Sequence, residues 1–350
     1  MIINLSFPFA RYAIYTIPFL VVLTAIGDHA IQIGDEAKPF IFLIIITTML
    51  IPFSTDEGLK DIFFIFAGIS ISFLKDIPQI KLRSMALLLF LGTIIYFSIY
   101  GNFRSGLLFN IATSSSSFEG SFSFMFGMIA PFALLEKRLK LTLFCLVMTV
   151  LTLKRIAILA SIISCLLVFL GERRTLRILN PLLMIVANCT ILFLVLMYAF
   201  GSFDSIISFI TGQSANQFGM GRKMLYSLPA ATIFSEPYMF IFFGKGAGSV
   251  YELANRGIGL YSTTSRLHSD VLKIFYEYGL IVFCTFIGLM YSSKKFSTKV
   301  GFFYMNVLFL TDNTLIYAFV LILFVYCVKH ASAFSKEMEN TFHQGQLSCA

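Results

Sequence analysis

Charge is what this sequence has least of. Asp, Glu, Lys and Arg make up 13% of its 350 residues and hydrophobic residues 58%, whereas a soluble globular domain carries about 25% charged residues. With a mean hydropathy of +0.86, the composition excludes an ordinary soluble domain. Histidine is scarce too: four residues, scattered, with no HxxE or HExxH spacing, which excludes the usual zinc-binding patterns. No CxxC pair occurs among Cys145, Cys165, Cys189, Cys284, Cys327 and Cys349, which lie in apolar segments or at the tail. They read as small core residues rather than a disulfide framework. A transmembrane barrel needs segments of about 10 residues that alternate apolar and polar, but "PLLMIVANCTILFLVLMYAF" and "TLIYAFVLILFVYCV" are apolar on all sides. No small-residue cleavage motif closes the first 26 residues, and Arg11 lies inside that run, so it reads as a helix and not a signal peptide. No internal repeat is visible, and "SSSS" at 114–117 is too short to be a low-complexity domain.

What is there is a succession of apolar runs from end to end. They fall near 9–26, 37–53, 59–73, 85–100, 121–135, 141–153, 156–171, 178–200, 271–291, 300–311 and 314–328, and they reach or approach the roughly 20 residues that cross a hydrocarbon core. The expectation is an all-α polytopic integral membrane protein of about 11 (10–12) transmembrane helices, a single domain over 1–350. The shorter runs suit tilted or re-entrant helices. The connections "KDIPQIKLR", "EKRLK", "ERRTLR" and "SSKKFSTK" are short and basic and fall at every second turn of the chain, the pattern of cytoplasmic loops. On that orientation residues 329–350 form a cytoplasmic tail, and 101–120 and 201–270 lie on the opposite face. The N-terminus comes out external, and one non-crossing segment before Lys75 would bring it inside. The net charge of +8 therefore belongs to topology, and no nucleic-acid partner follows from it.

The connection 201–270 is far longer than the usual 2 to 8 residues between helices, and long loops in compact domains are usually functional. An external loop has no topological need for the arginines it carries. His268 immediately precedes the ninth run, beside Asp270, at the positive end of the coming helix. It is either a general base or an interfacial histidine bonded to the helix start. Arg155, with Lys154, separates two runs at an external end, where it is either a pyrophosphate ligand or a snorkelling side chain. Arg222 opens "GRKMLYSLPAATIF", an amphipathic pattern in which Met224, Leu225, Leu228 and Ile233 lie toward the membrane and Arg222 toward an anionic headgroup. Gly244, Gly246 and Gly248 in "GKGAG" allow a sharp turn that offers amides to an anion, or simply a loop. Lys273 and Glu277, spaced i to i+4, are expected to neutralise one another.

Taken in order, these segments resemble one family, the bacterial O-antigen ligase and polymerase superfamily of polytopic glycosyltransferases. The matching stretches are "LTLKRIAILASIIS", "GRKMLYSLPAATIFSEPYMFIFFGKGAGS" and "HSDVLKIFYEYG", spanning about Leu151 to Gly279. Ser269 stands where the family usually has asparagine, and Lys154 where a small residue commonly precedes the arginine. The resemblance implies metal-independent, cofactor-free glycosyl transfer at the periplasmic face of the bacterial inner membrane. The donor is a polyprenyl-pyrophosphate-linked oligosaccharide entering from the membrane lipid, and the acceptor is a sugar hydroxyl. It implies His268 as the catalytic base, Arg155 and Arg222 with Arg266 in reserve as pyrophosphate ligands, and Gly244, Gly246 and Gly248 as loop-positioning residues. The shortness of the chain favours a polymerase, for which a chain-length regulator is a natural partner. The alternatives are a ligase that moves the glycan to lipid A-core, and a transporter or flippase.

Overall fold

The computed structural model describes residues 16–27, 33–75, 77, 80–100, 109–110, 115–116, 122–219, 221–258 and 267–347. Among them the chain is all-α, apart from one antiparallel two-residue ladder, β1 (Phe109–Asn110) against β2 (Ser115–Ser116), with Phe109 opposite Ser116. Helices stand at the positions of the apolar runs, and local chemistry sets their ends. α1 (Ile17–Gly27) is followed by α2 (Lys38–Met49), whose Pro39 sits in the first turn, where its missing N–H leaves no bond unmade. The run expected to continue to Phe53 instead closes in a 3-10 turn over Ile51–Phe53 that contains Pro52. α3 (Asp56–Ile69) begins where the Thr55 hydroxyl accepts from the Gly58 amide at 3.3 Å, with Asp56 and Glu57 at its positive end. α4 (Leu82–Tyr100), α5 (Phe122–Leu135), α6 (Leu139–Leu151), α7 (Arg155–Phe169), the short α8 (Glu172–Ile178) and α9 (Pro181–Ala199) follow.

The 201–270 connection is built of short helices: α10 (Asp204–Thr211), α11 (Ala215–Phe218), α12 (Arg222–Ser235), α13 (Met239–Phe243) and α14 (Ser249–Ile258). α15 (Asp270–Met290), α16 (Phe296–Phe309) and α17 (Ala318–Leu347) complete the chain. α17 starts later than its apolar run because Thr314–Ile316 is a 3-10 turn, and it continues through 329–347, so the expected tail extends the last helix. α9 and α15 are long and apolar enough to cross a membrane by themselves, and six further apolar helical stretches have 10–17 residues.

The antiparallel succession sorts the connections to two ends. At the basic end, Lys329 donates to the Ser72 carbonyl at 2.9 Å, His330 meets Glu136 at 2.7 Å and Lys299 donates to the Leu179 carbonyl at 2.8 Å. The four basic connections gather there. At the loop end, the Thr55 amide bonds the Ala247 carbonyl at 2.9 Å and Lys154 pairs with Asp312 at 3.2 Å. Between the ends, α5 is buried on every side from Phe122 to Leu134. Phe40, Phe286, Phe302 and Phe324 form a ring cluster with centroids 4.9 to 6.2 Å apart, each such pair worth about 0.5–1.5 kcal/mol beyond its burial.

The ninth run reads as a single unbroken helix, yet α15 breaks at Gly279, where φ is 76° and ψ 177°. The break frees carbonyls that must find donors. Lys245 N donates to Tyr276 O at 3.2 Å and Gly246 N to Glu277 O at 2.8 Å, so the glycine loop supplies them. A Cβ on Gly279 would lie 2.3 Å from the Phe242 carbonyl oxygen, whereas one on Gly288, in the same helix, would make an ordinary 3.4 Å contact with Ile185. Gly279→Ala is therefore expected to cost at least about 2 kcal/mol of stability, and Gly288→Ala almost nothing. Thermal unfolding of the purified variants reads the difference, and equal melting temperatures would contradict the constraint.

Candidate functional site

Polar side chains converge at the loop end from four parts of the chain. The turn into α7 holds Leu153 in the left-handed region at φ 53°. Lys154, the N-cap of α7, turns inward: its ammonium pairs with Asp312 Oδ2 at 3.2 Å and lies 4.5 Å from the centre of the Phe124 ring. The side chain of Arg155, the next residue, is exposed and makes no hydrogen bond or ion pair with the described residues. Lys154 pairs inside this site from the extended N-cap position, φ −77° and ψ 91°, whereas Arg155 is the first helical residue and faces solvent.

Asp312 sits in the "TDNT" turn between α16 and α17. Its Oδ1 accepts from the Asn313 amide at 2.9 Å and from the Tyr317 hydroxyl at 3.5 Å. Its carbonyl accepts from the Asp270 amide at 3.3 Å, and Asp270 Oδ2 in turn accepts from the Leu315 amide at 2.8 Å. Three buried polar atoms around this turn, Asp270 Oδ1, Asn313 Nδ2 and Thr314 Oγ1, have no partner among the described residues. Such atoms are costly to leave unmet and frequently mark a functional position.

His268 stands directly above, half-buried, with φ 53°. The left-handed turn at His268 leads into the Ser269 cap, which accepts from the Leu272 amide at 3.3 Å and starts α15. Its carbonyl accepts from the Tyr226 hydroxyl at 2.9 Å. Burial pushes the Tyr226 phenol well above its ordinary value; Arg222 opposes that shift, while Asp312 and Asp270 add to it. The phenol is thus a fixed donor to the His268 carbonyl, within electrostatic range of Arg222, Asp312 and Asp270. Arg222 opens α12 after Gly221, whose φ is 83°. The amphipathic reading of this helix needs correction: Met224 is exposed, but Tyr226, Pro229, Ala230 and Ile233 are buried, so Ile233 faces the protein. Arg266 lies outside the described residues.

A second cluster lies one turn deeper. Lys273 and Glu277 act on one another electrostatically, as their i to i+4 spacing suggests, but Glu277 is not the close partner of Lys273. Lys273 forms a buried ion pair with Asp61 of α3, and its ammonium lies 4.9 Å from the centre of the Tyr251 ring. Tyr251 donates to the same Asp61 oxygen at 2.8 Å, and burial holds its phenol above the ordinary range while Lys273 pulls it down. Glu277 instead accepts from the Gly248 and Val250 amides. The glycine loop does present amides to an anion, but that anion is the chain's own Glu277. Gly246 has φ 93°, and a Cβ there would lie 2.0 Å from the Phe53 carbonyl oxygen, so the loop is wedged between α15 and the turn before α3. Gly244 and Gly248 complete the same turn at φ 73° and 83°.

The structure thus links the His268 backbone and the helix that Arg222 opens through Tyr226, and links Lys154 to Asp312 and Asp312 to Asp270, while the Arg155 side chain, next to Lys154, is exposed to solvent. Asp61, Asp312 and Tyr251 carry roles that the sequence reading did not assign them. An acid inside or between apolar runs, as Asp61 and Asp312 are, is the signal that points to them. No family model, curated protein or solved structure matches this chain, so the resemblance in the loop motifs rests on its residues alone. Among the described residues no group of three or more His, Cys, Asp or Glu has metal-holding geometry.

Removing one member of a buried ion pair strands the other. Lys273→Met is expected to cost about 3–5 kcal/mol, and Asp61→Asn combined with Lys273→Met to recover most of it. Unfolding of the single and double variants measures this, and additive losses would argue against the pair.

Proposed function

We propose that this chain is a polytopic membrane glycosyltransferase, an O-antigen polymerase that moves a polyprenyl-pyrophosphate-linked glycan onto the sugar hydroxyl of another lipid-linked repeat unit. The observation that carries the reading is the convergence of His268, Arg222, Tyr226, Lys154, Asp270 and Asp312 at the end of the bundle opposite the basic connections. Topology requires no cations there. A lipid pyrophosphate leaving group does. Membrane embedding is supported by the exposed aliphatic faces, with Leu182, Val186 and Phe193 on α9 and Leu143 and Val147 on α6 all turned outward. At the loop end, Phe209 and Phe243 on short helices and Tyr238 at the N-cap of α13 are exposed, a placement that suits the membrane interface.

In the reaction the acceptor hydroxyl oxygen forms a bond to the anomeric carbon of the donor. The bond from that carbon to the pyrophosphate oxygen breaks, and the pyrophosphate leaves with the electron pair. His268, on its rigid left-handed turn, takes the hydroxyl proton. Arg222 and Lys154 balance the charge that grows on the pyrophosphate, and a single displacement of this kind inverts the anomeric carbon. Lys154 takes the part that the family resemblance gives to Arg155, as the inward cation at the same turn. The Asp270 and Asp312 carboxylates hold Lys154 and the turn below it in place. Access from the bilayer runs beside α12, where Met224 is exposed next to Arg222.

A transporter reading draws on a different observation, the break in α15 beside the buried Asp61, Lys273 and Glu277, since broken helices with ionisable groups are common in transporters. The carbonyls freed at this break are taken up by the glycine loop rather than left for an ion, which ranks transport second.

A surface-polysaccharide gel from a null strain of the native host, complemented with wild type, His268→Ala, Arg222→Ala or Lys154→Ala, tests the reading. Each variant is expected at normal membrane abundance but with chain extension at least about a hundredfold slower, leaving core plus one repeat. A full ladder from His268→Ala would remove the catalytic assignment. Bare core would make the enzyme a ligase, and an unchanged ladder in the null strain would leave transport.

A further inference from the structure

The basic end carries a feature that glycosyl transfer at the opposite end does not use. Between the start of α4 and the turn joining α5 to α6 lies a cavity of about 720 Å3, with Arg83, Lys137, Arg138 and Lys140 on its wall. None of its lining residues is acidic. The nearby Glu136 has its carboxylate buried and already engaged, with Arg138 Nε at 2.8 Å and His330 Nε2 at 2.7 Å. That pair fixes the Arg138 guanidinium at the rim and leaves the other three cations to face solvent. The positive-inside pattern accounts for basic loops at this end, but not for two of them, "KLR" and "EKRLK", closing on one cavity.

The rest of the cavity is apolar, with Leu87, Leu139 and Phe144 on its wall. From Leu87 an exposed aliphatic stripe runs up α4 through Leu91 and Ile95, and from Leu139 another runs up α6 through Leu143, Val147 and Val150. Spaced by about one helical turn, these residues share one face of each helix, and the stripes extend roughly 12 Å and 16 Å from the cavity. Phe90 and Phe144, with ring centroids 5.7 Å apart, join the two helices beneath. A free anion would need only the cations. A groove that joins a cationic pocket to two aliphatic stripes matches a headgroup phosphate and its acyl chain.

We propose that this cavity is a binding site for an anionic glycerophospholipid of the leaflet at the basic end. The phosphate is met by Arg83, Lys137, Arg138 and Lys140, and the acyl chain lies along Leu87, Leu91 and Ile95 against Leu139 and Leu143. The proposal rests on the membrane-embedded reading of the chain but not on the transferase chemistry.

The test is native mass spectrometry of the detergent-purified protein titrated with phosphatidylglycerol or phosphatidylethanolamine, with inorganic phosphate as competitor. Phosphatidylglycerol is expected to bind about tenfold tighter than phosphatidylethanolamine. Arg83→Gln with Lys140→Gln is expected to weaken it by about tenfold or more, while Arg173→Gln with Arg174→Gln, exposed cations of α8, leaves it unchanged. The single Lys140→Gln variant carries the comparison if the double variant does not elute as a folded species. Equal affinity for the two lipids, or equal loss in the pocket and control variants, would overturn the site. Complete displacement by inorganic phosphate would assign the pocket to a free anion instead. Carbonate extraction of host membranes reads the membrane premise separately: release of the chain into the aqueous wash would remove that premise, whatever the lipid titration shows.

Discussion

The break in α15 at Gly279 is the constraint on which the loop end depends. In a buried setting, a helix that stops bonding to itself leaves carbonyls that must be met by protein. Here the donors come from residues 244–250, which reach the Tyr276 and Glu277 carbonyls and the Glu277 carboxylate. Serving that break fixes the glycine loop against α15 on one side and against Phe53 to Gly58 on the other. The loop then delivers α14, and with it Tyr251, to Asp61 and Lys273. An apparently local feature of one helix thus ties the 201–270 connection to the first third of the chain.

The Asp61–Lys273 pair adds definition more than it adds stability. Desolvating two charges costs about as much as their attraction returns, and the Tyr251 hydroxyl and ring improve that balance only in part. What the pair does is register α3 against α15, which sets the height of Ser269 and therefore of His268. At the top of the same helix, the Tyr226 hydroxyl on the His268 carbonyl ties α12 to that height. Arg222 and His268 lie 46 residues apart in the chain and are brought together by these two anchors rather than by any direct bond between them.

Much of the helical layout was legible because long apolar runs with no alternation allow few other structures. The glycine loop was also legible as an anion-binding turn, but its anion proved internal, since nothing in "GKGAG" tells an external phosphate from the Glu277 carboxylate thirty residues on. The close partner of Lys273 was hidden for a similar reason. Spacing along one helix predicts only the partner on that helix, and a carboxylate on α3 that is equally buried competes for it successfully. Lys154 and Arg155 were distinguishable only by where the helix starts: Lys154 is the extended N-cap and pairs inward while Arg155 is the first helical residue and is exposed, and the sequence does not show that boundary. The break at Gly279 was hidden because "EYGLIVF" continues apolar on both sides, so hydropathy runs straight through it.

The two ends of the bundle use the same chemistry of cations in opposite ways. Around the cavity at the basic end, Arg83, Lys137 and Lys140 are exposed, where water and diffuse ions stabilise them, and the nearby Glu136 carboxylate is buried. Their partners are interchangeable, which suits adhesion to a charged surface. At the loop end, Lys154 is held by Asp312 and Lys273 by Asp61, each partly or fully withdrawn from solvent. A withdrawn cation of fixed direction is worth far more to a developing charge than a solvated one, because nothing has to reorganise when that charge appears. On this physical ground the withdrawn cations of the loop end suit a developing charge, and the solvated cations of the basic end suit a diffuse, exchangeable partner.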